Sequence, residues 1–142
     1  MTAELNWLAQ HCFVGVVRRE FDWVFTFDHG VALVAECLWR LLENDRIRFT
    51  SADEGQLFGL PTPVDAVAEI NSRLTDAFVT AVELKSGTLD LRIAFNTGHV
   101  LELLPESSGY EAWNATCSGM LIVAAGGGEL VVYNDSDKHP EC

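Results

Sequence analysis

The feature that most constrains the fold is a short sequence pattern that occurs twice. Phe-Val-Gly-Val-Val at 13–17 resembles Phe-Val-Thr-Ala-Val at 78–82, and Phe-Asp-His-Gly-Val at 27–31 resembles Phe-Asn-Thr-Gly-His at 95–99. The offsets, 65 and 68 residues, are nearly the same, which predicts two similar structural units. Because a three-stranded unit is only marginally stable alone, we expect the two units to share one core or to form one larger sheet.

Alternation of large and small side chains predicts strands within each unit. Every second residue from Phe21 to Phe27 is aromatic, which places four rings on one face of an extended strand. A turn at 28–30 and a β-rich run at 31–37 complete a hairpin. We assign residues 13–51 to a first β unit, whose last strands carry Trp39. Residues 78–133 form a second β unit, which carries Trp113.

The segment between the units has the features of a helix. Thr62 is a suitable cap, Pro63 suits the first helical position, and apolar residues follow at helical spacing from Val64 to Phe78. We therefore predict one amphipathic helix over residues 63–78. The fold class predicted is α+β: mainly antiparallel β-sheet, built from two similar strand-hairpin-strand units joined by this helix. One domain is expected over 1–142, with a flexible polar tail at 134–142.

The charge of the chain excludes several kinds of partner. It has 21 acidic and 9 basic residues, for a net charge of −12. Such a chain is a poor ligand for nucleic acid or for an anionic membrane. Residues 101–142 alone hold seven acidic residues and one basic residue. If these acids share a surface, it would attract a basic protein partner; a general compositional bias toward acids is the alternative.

The residue types that usually carry chemistry are sparse. The four cysteines form no Cys-x-x-Cys pair, and we expect reduced thiols at Cys12, Cys37 and Cys117, with pKa values raised by their apolar surroundings. The repeat could bring His29 and His99 together as a pair of metal ligands, but two ligands do not make a site. We therefore predict no metal, no cofactor and no covalent mechanism, and we expect a non-enzymatic protein.

The remaining local signals concern location and one glycine run. The first residues lack a basic segment followed by an apolar run, and no later segment has the length needed to cross a bilayer, so a cytoplasmic protein is expected. The three glycines at 126–128 are followed by a strand-like segment and lack the lysine of a phosphate-binding loop. They predict a tight turn or a bulge.

Two segments are candidates for binding. The long loop before the helix contains Asp53, Glu54, Gln56 and Phe58, and a loop of this kind on a rigid sheet is a common binding site. Its alternative role is structural, with Leu57, Phe58 and Leu60 plugging the end of the core.

The second candidate is Tyr110 with Glu111, an aromatic residue beside an acid. The alternative is that this strand only packs Trp113 under the helix. Glu111 could also form an acid and base pair with Glu36 or Glu102, if two of them share a cleft.

The sequence around this second candidate carries a resemblance. Gly109-Tyr110-Glu111-Ala112-Trp113, followed by the Gly-Gly-Gly-Glu-Leu turn and a final strand, resembles a group of small bacterial domains without an established activity. The likeness covers mainly residues 78–133 and implies no role for individual residues. In size, acidity and class the chain is also similar to immunity proteins, which bind and block a toxin of a neighbouring bacterium.

Three functions are compatible with these features. The first is a non-enzymatic protein-binding module, of the immunity type in its most specific form, that uses an acidic surface to bind a basic protein partner. The alternative is a small ligand-binding or hydrolytic domain with a pocket between sheet and helix. The third is a homodimer that forms through an open sheet edge.

Overall fold

The computed structural model describes residues 3–134, and the side chains from residue 5 onward. In chain order the elements are a 3-10 helix Ala3–Leu8, β1 Phe13–Arg18, β2 Trp23–Phe27, β3 Ala32–Ala35, β4 Leu38–Glu43, β5 Arg46–Thr50, α1 Ala66–Leu74, β6 Val79–Leu84, β7 Leu91–Phe95, β8 Val100–Leu104, β9 Trp113–Cys117, β10 Met120–Ala125 and β11 Glu129–Asn134. Short 3-10 turns follow β2, β5 and β10. The fold is α+β and mainly antiparallel β-sheet, as the sequence predicts.

The strands form two antiparallel sheets, and each sheet takes strands from both units. One has the order β1-β2-β3-β9-β10-β11, and the other has the order β5-β4-β8-β7-β6. The first unit therefore places β1–β3 in the six-stranded sheet and its last hairpin, β4–β5, in the five-stranded sheet. The second unit places β6–β8 in the five-stranded sheet and β9–β11 in the six-stranded sheet. The repeat leaves open whether the two units share one core or form one larger sheet. The structure shows that they contribute strands to both sheets and share a single buried core.

The repeat is visible in the details of strand pairing. The β1–β2 ladder is irregular between Phe13 and Gly15, and the β6–β7 ladder is irregular between Val79 and Ala81. A bulge inserts one residue and bends its strand. The bulges show that the two units have the same backbone geometry, but Phe13 corresponds to Val79 and not to Phe78, so the predicted alignment of these strands is off by one residue.

The two units meet through equivalent residues. Cys12 and Phe78, each just before the first strand of its unit, pair with one another in an isolated antiparallel bridge. The amide of Asp28 donates to the carbonyl of Cys12, and the amide of Asn96 donates to the carbonyl of Phe78, both at 2.9 Å. These reciprocal contacts describe an approximate twofold relation between the units, centred near the Cys12–Phe78 bridge.

The helix is shorter than the predicted 63–78 range at both ends. Val64 is held in the preceding loop, because its amide donates to the carbonyl of Gln56 at 2.9 Å. The helix begins after Asp65, whose side chain caps it by accepting from the amide of Ala68 at 3.1 Å. It ends at Leu74, since Asp76 has a left-handed φ of 62°. The residues that follow, from Phe78 onward, pair as strand and do not continue the helix.

The helix lies against the first strand of the first unit and buries one face there. Asn71 fixes this contact: its Oδ1 accepts from the amide of Val16 at 2.8 Å, and its Nδ2 donates to the carbonyl of Val16 at 3.4 Å. The side-chain amide thus satisfies backbone groups of β1 that no strand reaches.

The two predicted tryptophans are both fully buried, but in different surroundings. The indole Nε1 of Trp113 donates to the carbonyl of Leu89 at 2.9 Å. Trp39 packs edge to face against Trp23 and Phe25, and its Nε1 has no hydrogen-bond partner among the described residues. Trp39 is therefore held by aromatic packing, and Trp113 by packing and a buried hydrogen bond.

Two further expectations need correction. Phe21 does not share the buried aromatic face of Trp23, because β2 begins only at Trp23; the ring of Phe21 is 83% exposed. Cys117 is disulfide-bonded and not a reduced thiol, whereas Cys12 and Cys37 are free. The predicted tail at 134–142 falls outside the described residues, apart from Asn134, which ends β11.

Among residues 3–134, no helix combines the length and the apolar character that crossing a bilayer requires.

Candidate binding cleft

A surface cleft of about 350 Å³ lies where three strand connections meet. The β1–β2 turn contributes Phe21, the β3–β4 link contributes Glu36 and Cys37, and the β8–β9 loop contributes the rest of the lining: Glu106, Ser107, Tyr110, Glu111 and Ala112. We refer to it as the acidic cleft. It unites the predicted candidates Tyr110 and Glu111 with residues of the first unit.

Hydrogen bonds hold the two main connections together. The amide of Glu36 donates to the carbonyl of Ala112 at 2.8 Å, and the amide of Leu38 donates to the carboxylate of Glu106 at 3.2 Å. The β3–β4 link and the β8–β9 loop therefore form one continuous rim. The side chains of the cleft project from a backbone that is fixed at two points.

The end of the β8–β9 loop is shaped by Ser107. Its hydroxyl accepts from the amides of Gly109 and Tyr110, at 3.1 and 2.9 Å, and so forms a local turn that presents Tyr110. The glycine turn after β10 packs on this loop from behind. A Cβ on Gly126 would lie 2.5 Å from the carbonyl carbon of Gly109, so only glycine allows this approach.

The cleft is electrostatically negative. It is lined by the carboxylates of Glu36, Glu106 and Glu111, and within the described range none of the three forms an ion pair. Burial, followed by the nearby charges of Glu111 and Asp22, raises the pKa of Glu36 above its usual range. Arg19 opposes this shift of the Glu36 pKa only weakly, since its guanidinium is bound to Asp22 through two contacts of 2.6 Å.

Two aromatic side chains at the cleft are almost free of intramolecular contacts. Phe21 is 83% exposed and Tyr110 is 81% exposed. Keeping a large aromatic side chain in water is unfavourable, and burying it against a partner is favourable. An exposed pair of aromatic side chains beside one cleft is therefore typical of a binding surface. Aromatic faces also attract cations, which strengthens the preference already set by the carboxylates.

The one thiol at the cleft is not a usable nucleophile. Cys37 lies at its base, and burial raises the pKa of this thiol to about 12. At neutral pH the side chain is protonated, and the thiolate is the reactive form. The predicted raising of the thiol pKa by an apolar environment is confirmed at this position. The chemistry that the cleft offers is cation binding and, through its carboxylates, proton transfer.

The four candidates in the long loop do not line this cleft. The carboxylate of Asp53 accepts from the amide of Thr50 at 3.0 Å, and that of Glu54 accepts from the amide of Ala66 at 3.1 Å. Both acids therefore have structural roles, closing the end of β5 and the start of α1. The backbone of Gln56 joins the same loop, through its amide to the carbonyl of Asp53 at 3.0 Å.

Phe58 is exposed in this loop, and the idea that it plugs the core is wrong. Leu57, Phe58 and Leu60 are all more than half exposed. Phe58 also has a left-handed φ of 47°, which turns the chain outward. The loop thus displays three apolar side chains on a hydrogen-bonded frame.

The two histidines have separate partners. His99 contacts Glu43 at 2.9 Å, while His29 lies edge to face with His11 at 6.0 Å between ring centroids. His11 in turn contacts Asp28 at 2.6 Å. Within residues 3–134 no group of three or more His, Cys, Asp or Glu side chains is placed to hold a metal ion.

Of the possible acid and base pairs, only one shares the acidic cleft. Glu36 and Glu111 both line it, whereas Glu102 lies between Arg40 and Arg92 on the other sheet, at 2.5 and 3.0 Å. Sequence reasoning missed Phe21 and Glu106 as site residues. For Phe21, the available signal was its place in the turn between the first two strands of the repeat unit. Periodicity alone assigns that ring to the core.

Comparison with known proteins gives no further guide to the role of this cleft. No protein-family model matches the chain, and neither the curated proteins nor the solved structures provide a match. The resemblance of the Gly109–Trp113 segment to small bacterial domains therefore remains a prediction, and the function has to be argued from the cleft itself.

Proposed function

We propose that the protein is a non-enzymatic binding module that holds a basic segment of a partner protein in the acidic cleft. The observation that carries the proposal is the combination, in one cleft, of two exposed aromatic rings with three carboxylates that form no ion pair within the described range. An arginine or lysine of the partner would lie against Phe21 or Tyr110 and contact Glu36 and Glu111.

Electrostatics supports this choice of ligand. The charge of Glu111 contributes to the raised pKa of Glu36, which means that the two carboxylates repel each other in the free protein. A cation between them would relieve that repulsion. The net charge of −12 acts over a longer range and would speed the approach of a basic partner.

The immunity-like role is the most specific form of this proposal. It requires that the partner be a basic toxin whose active surface is covered when the cleft is occupied. Its support is the acidity of the chain and the absence of a thiolate nucleophile in the cleft. The expected cytoplasmic location belongs to the same proposal.

Peptide binding tests the proposal directly. We would titrate the full chain with a fluorescein-labelled peptide of alternating arginine and leucine, and with a matched peptide that has glutamate for arginine. We expect saturable binding of the basic peptide alone, weakened by added salt. Tyr110→Ala should weaken it about tenfold, because an exposed aromatic anchor is lost.

Control variants make the result specific to the cleft. Phe58→Ala removes an exposed ring elsewhere, and Glu129→Gln removes a carboxylate outside the cleft; both should bind the basic peptide as the unmodified chain does. Equal weakening by Phe58→Ala and Tyr110→Ala would contradict the proposed site. Binding that is insensitive to salt would contradict the proposed charge recognition.

A hydrolytic role is a second candidate, since Glu36 with its raised pKa and Glu111 share a cleft. Such a pair could supply a general acid and a general base. It ranks second because Glu36 is exposed to water, which screens a developing charge. Turnover of a candidate substrate that disappears in both Glu36→Gln and Glu111→Gln would favour this role over simple binding.

A further inference from the structure

Sheet edges of this protein differ sharply in how they are protected. An open edge presents unpaired backbone groups that can pair with another chain, and proteins usually cover, bend or charge such edges. The edge of β1 is covered, because α1 lies against it and the amide of Asn71 bonds both backbone groups of Val16.

The two edges of the other sheet are also protected. At the β6 edge the 3-10 helix Ala3–Leu8 lies against the strand, and the amide of Gln10 donates to the carbonyl of Val79 at 2.7 Å. At the β5 edge, Arg46 and Arg48 place two charges on a five-residue strand, and the ladder with β4 is irregular at Leu41 and Leu42. Both devices disfavour pairing with a further strand.

The edge of β11 has none of these protections in the part of the chain that the structure describes. It pairs with β10 through six consecutive residues without irregularity, and no described strand lies on its other side. Its one charged residue is Glu129, at the first position. Val132 and Tyr133 are 40% and 58% exposed. β11 is also the strand that has no equivalent in the other sheet.

We propose that β11 pairs antiparallel with β11 of a second copy of this chain, so that two six-stranded sheets become one continuous sheet. A twofold axis perpendicular to the sheet relates the two strands. In the register centred on Val131, Glu129 faces Tyr133 and Leu130 faces Val132. No carboxylate of the strand then meets its own copy, so the pairing brings no like charges directly opposite each other.

The physical properties of this contact predict a weak dimer that depends on salt. One pair of strands buries less area than a standard stable interface. The net charge of −12 on each copy opposes association, and added salt screens this repulsion. Salt should therefore strengthen the dimer, whereas it should weaken binding of a basic peptide in the acidic cleft, so the two proposals can fail separately.

Light scattering and sedimentation of the full chain over a wide concentration range test the proposal. We expect a monomer–dimer equilibrium whose dissociation constant falls as salt is added. Val132→Lys puts a positive charge in the contact and should raise the dissociation constant at least about tenfold, which corresponds to about 1.4 kcal/mol. Val14→Lys is the matched control, because Val14 is exposed on β1, whose edge is covered. It should leave the dissociation constant unchanged.

Three outcomes would overturn the inference. They are a monomer at every concentration and salt level, a dimer that Val132→Lys leaves intact, and equal weakening by Val132→Lys and Val14→Lys. Circular dichroism checks that each variant is folded. If Val132→Lys proves unfolded, Tyr133→Glu decides the same question, since in the proposed register it places a carboxylate opposite Glu129 of the second copy and should raise the dissociation constant.

Discussion

The first and second β units share a scaffold but differ in their connections. Strands β1–β5 and β6–β10 have equivalent pairing, and the first hairpins of the two units, β1–β2 and β6–β7, have equivalent bulges. Between β3 and β4 the chain needs only residues 36–37, whereas between β8 and β9 it uses residues 105–112. That longer loop supplies most of the acidic cleft. The repeated parts build the scaffold, and the parts that depart from the repeat build the candidate site.

The glycines show the same difference at the end of the second unit. Gly126 approaches the backbone of Gly109, and Gly128 approaches the backbone of Gly87. Three turns of the second unit are thus packed backbone to backbone. Gly30 of the first unit and its equivalent in the second unit, Gly98, both have open space around them. Close packing of turns has no counterpart in the first unit and supports the loop that carries Tyr110.

The largest predicted effect breaks this packing. In Gly128→Ala the new Cβ would lie 1.9 Å from the carbonyl oxygen of Gly87, at a φ of 82°. Because backbone must move, we expect a loss of at least about 3 kcal/mol in the free energy of unfolding. Urea unfolding followed by circular dichroism measures this loss.

Gly98→Ala is the control for backbone strain alone. Gly98 has a φ of 92°, but no atom lies within 4 Å of the added Cβ. We expect a loss of about 1–2 kcal/mol from the left-handed conformation. Similar losses for both variants would show that the contact between the turns contributes nothing.

A smaller effect separates the two buried tryptophans. Trp113→Phe leaves the buried carbonyl of Leu89 without its donor, whereas Trp39→Phe removes an indole N–H that has no described partner. The packing losses are similar, so Trp113→Phe should cost about 1–2 kcal/mol more in unfolding free energy. Urea unfolding of the two variants compares them. If Trp39→Phe is the more costly change, the aromatic cluster of the first unit outweighs the hydrogen bond of the second.

The smallest predicted effect concerns protonation of the cleft. The raised pKa of Glu36 means that the folded protein holds this proton more tightly than the unfolded chain. Stability contributed by the group is present below the usual carboxyl pKa and is lost as pH rises through the raised value. Glu111→Gln removes one cause of the shift and should lower the Glu36 pKa, which carboxyl NMR titration measures.

Glu129→Gln serves as the control for that titration, since Glu129 is not among the groups that shift the pKa of Glu36. It should leave the Glu36 pKa where it is. An unchanged Glu36 pKa in Glu111→Gln would show that burial and the charge of Asp22 produce the shift without Glu111, and the repulsion that we assign to the free cleft would be absent.

Much of the fold could be predicted because local patterns report it. Alternation located the strands, the repeat predicted the equivalence of the two units to within one residue, and the glycine run at 126–128 is a turn as expected. Phe21 shows where the pattern misleads. It continues the aromatic alternation, yet β2 begins two residues later, because the chain turns at Asp22, whose carbonyl accepts from the amide of Arg19.

The candidate site was predicted only in part. Tyr110 and Glu111 were found because an aromatic residue next to an acid is a local signal. Asp53 and Glu54 gave the same kind of signal and are structural caps. Sequence cannot separate these cases, because a carboxylate that closes a loop and a carboxylate that faces a ligand differ only in which backbone amide lies nearby.

The sequence by itself determined the antiparallel strands, the single α-helix, the acidic charge and the repetition of one unit, since each depends on residue type and spacing along the chain. Only the tertiary structure decided that the units exchange their last hairpins and that Glu36 of the first unit meets Glu111 of the second. Strand order and shared clefts depend on contacts between residues far apart in the chain, and such contacts are chosen by packing of the whole core.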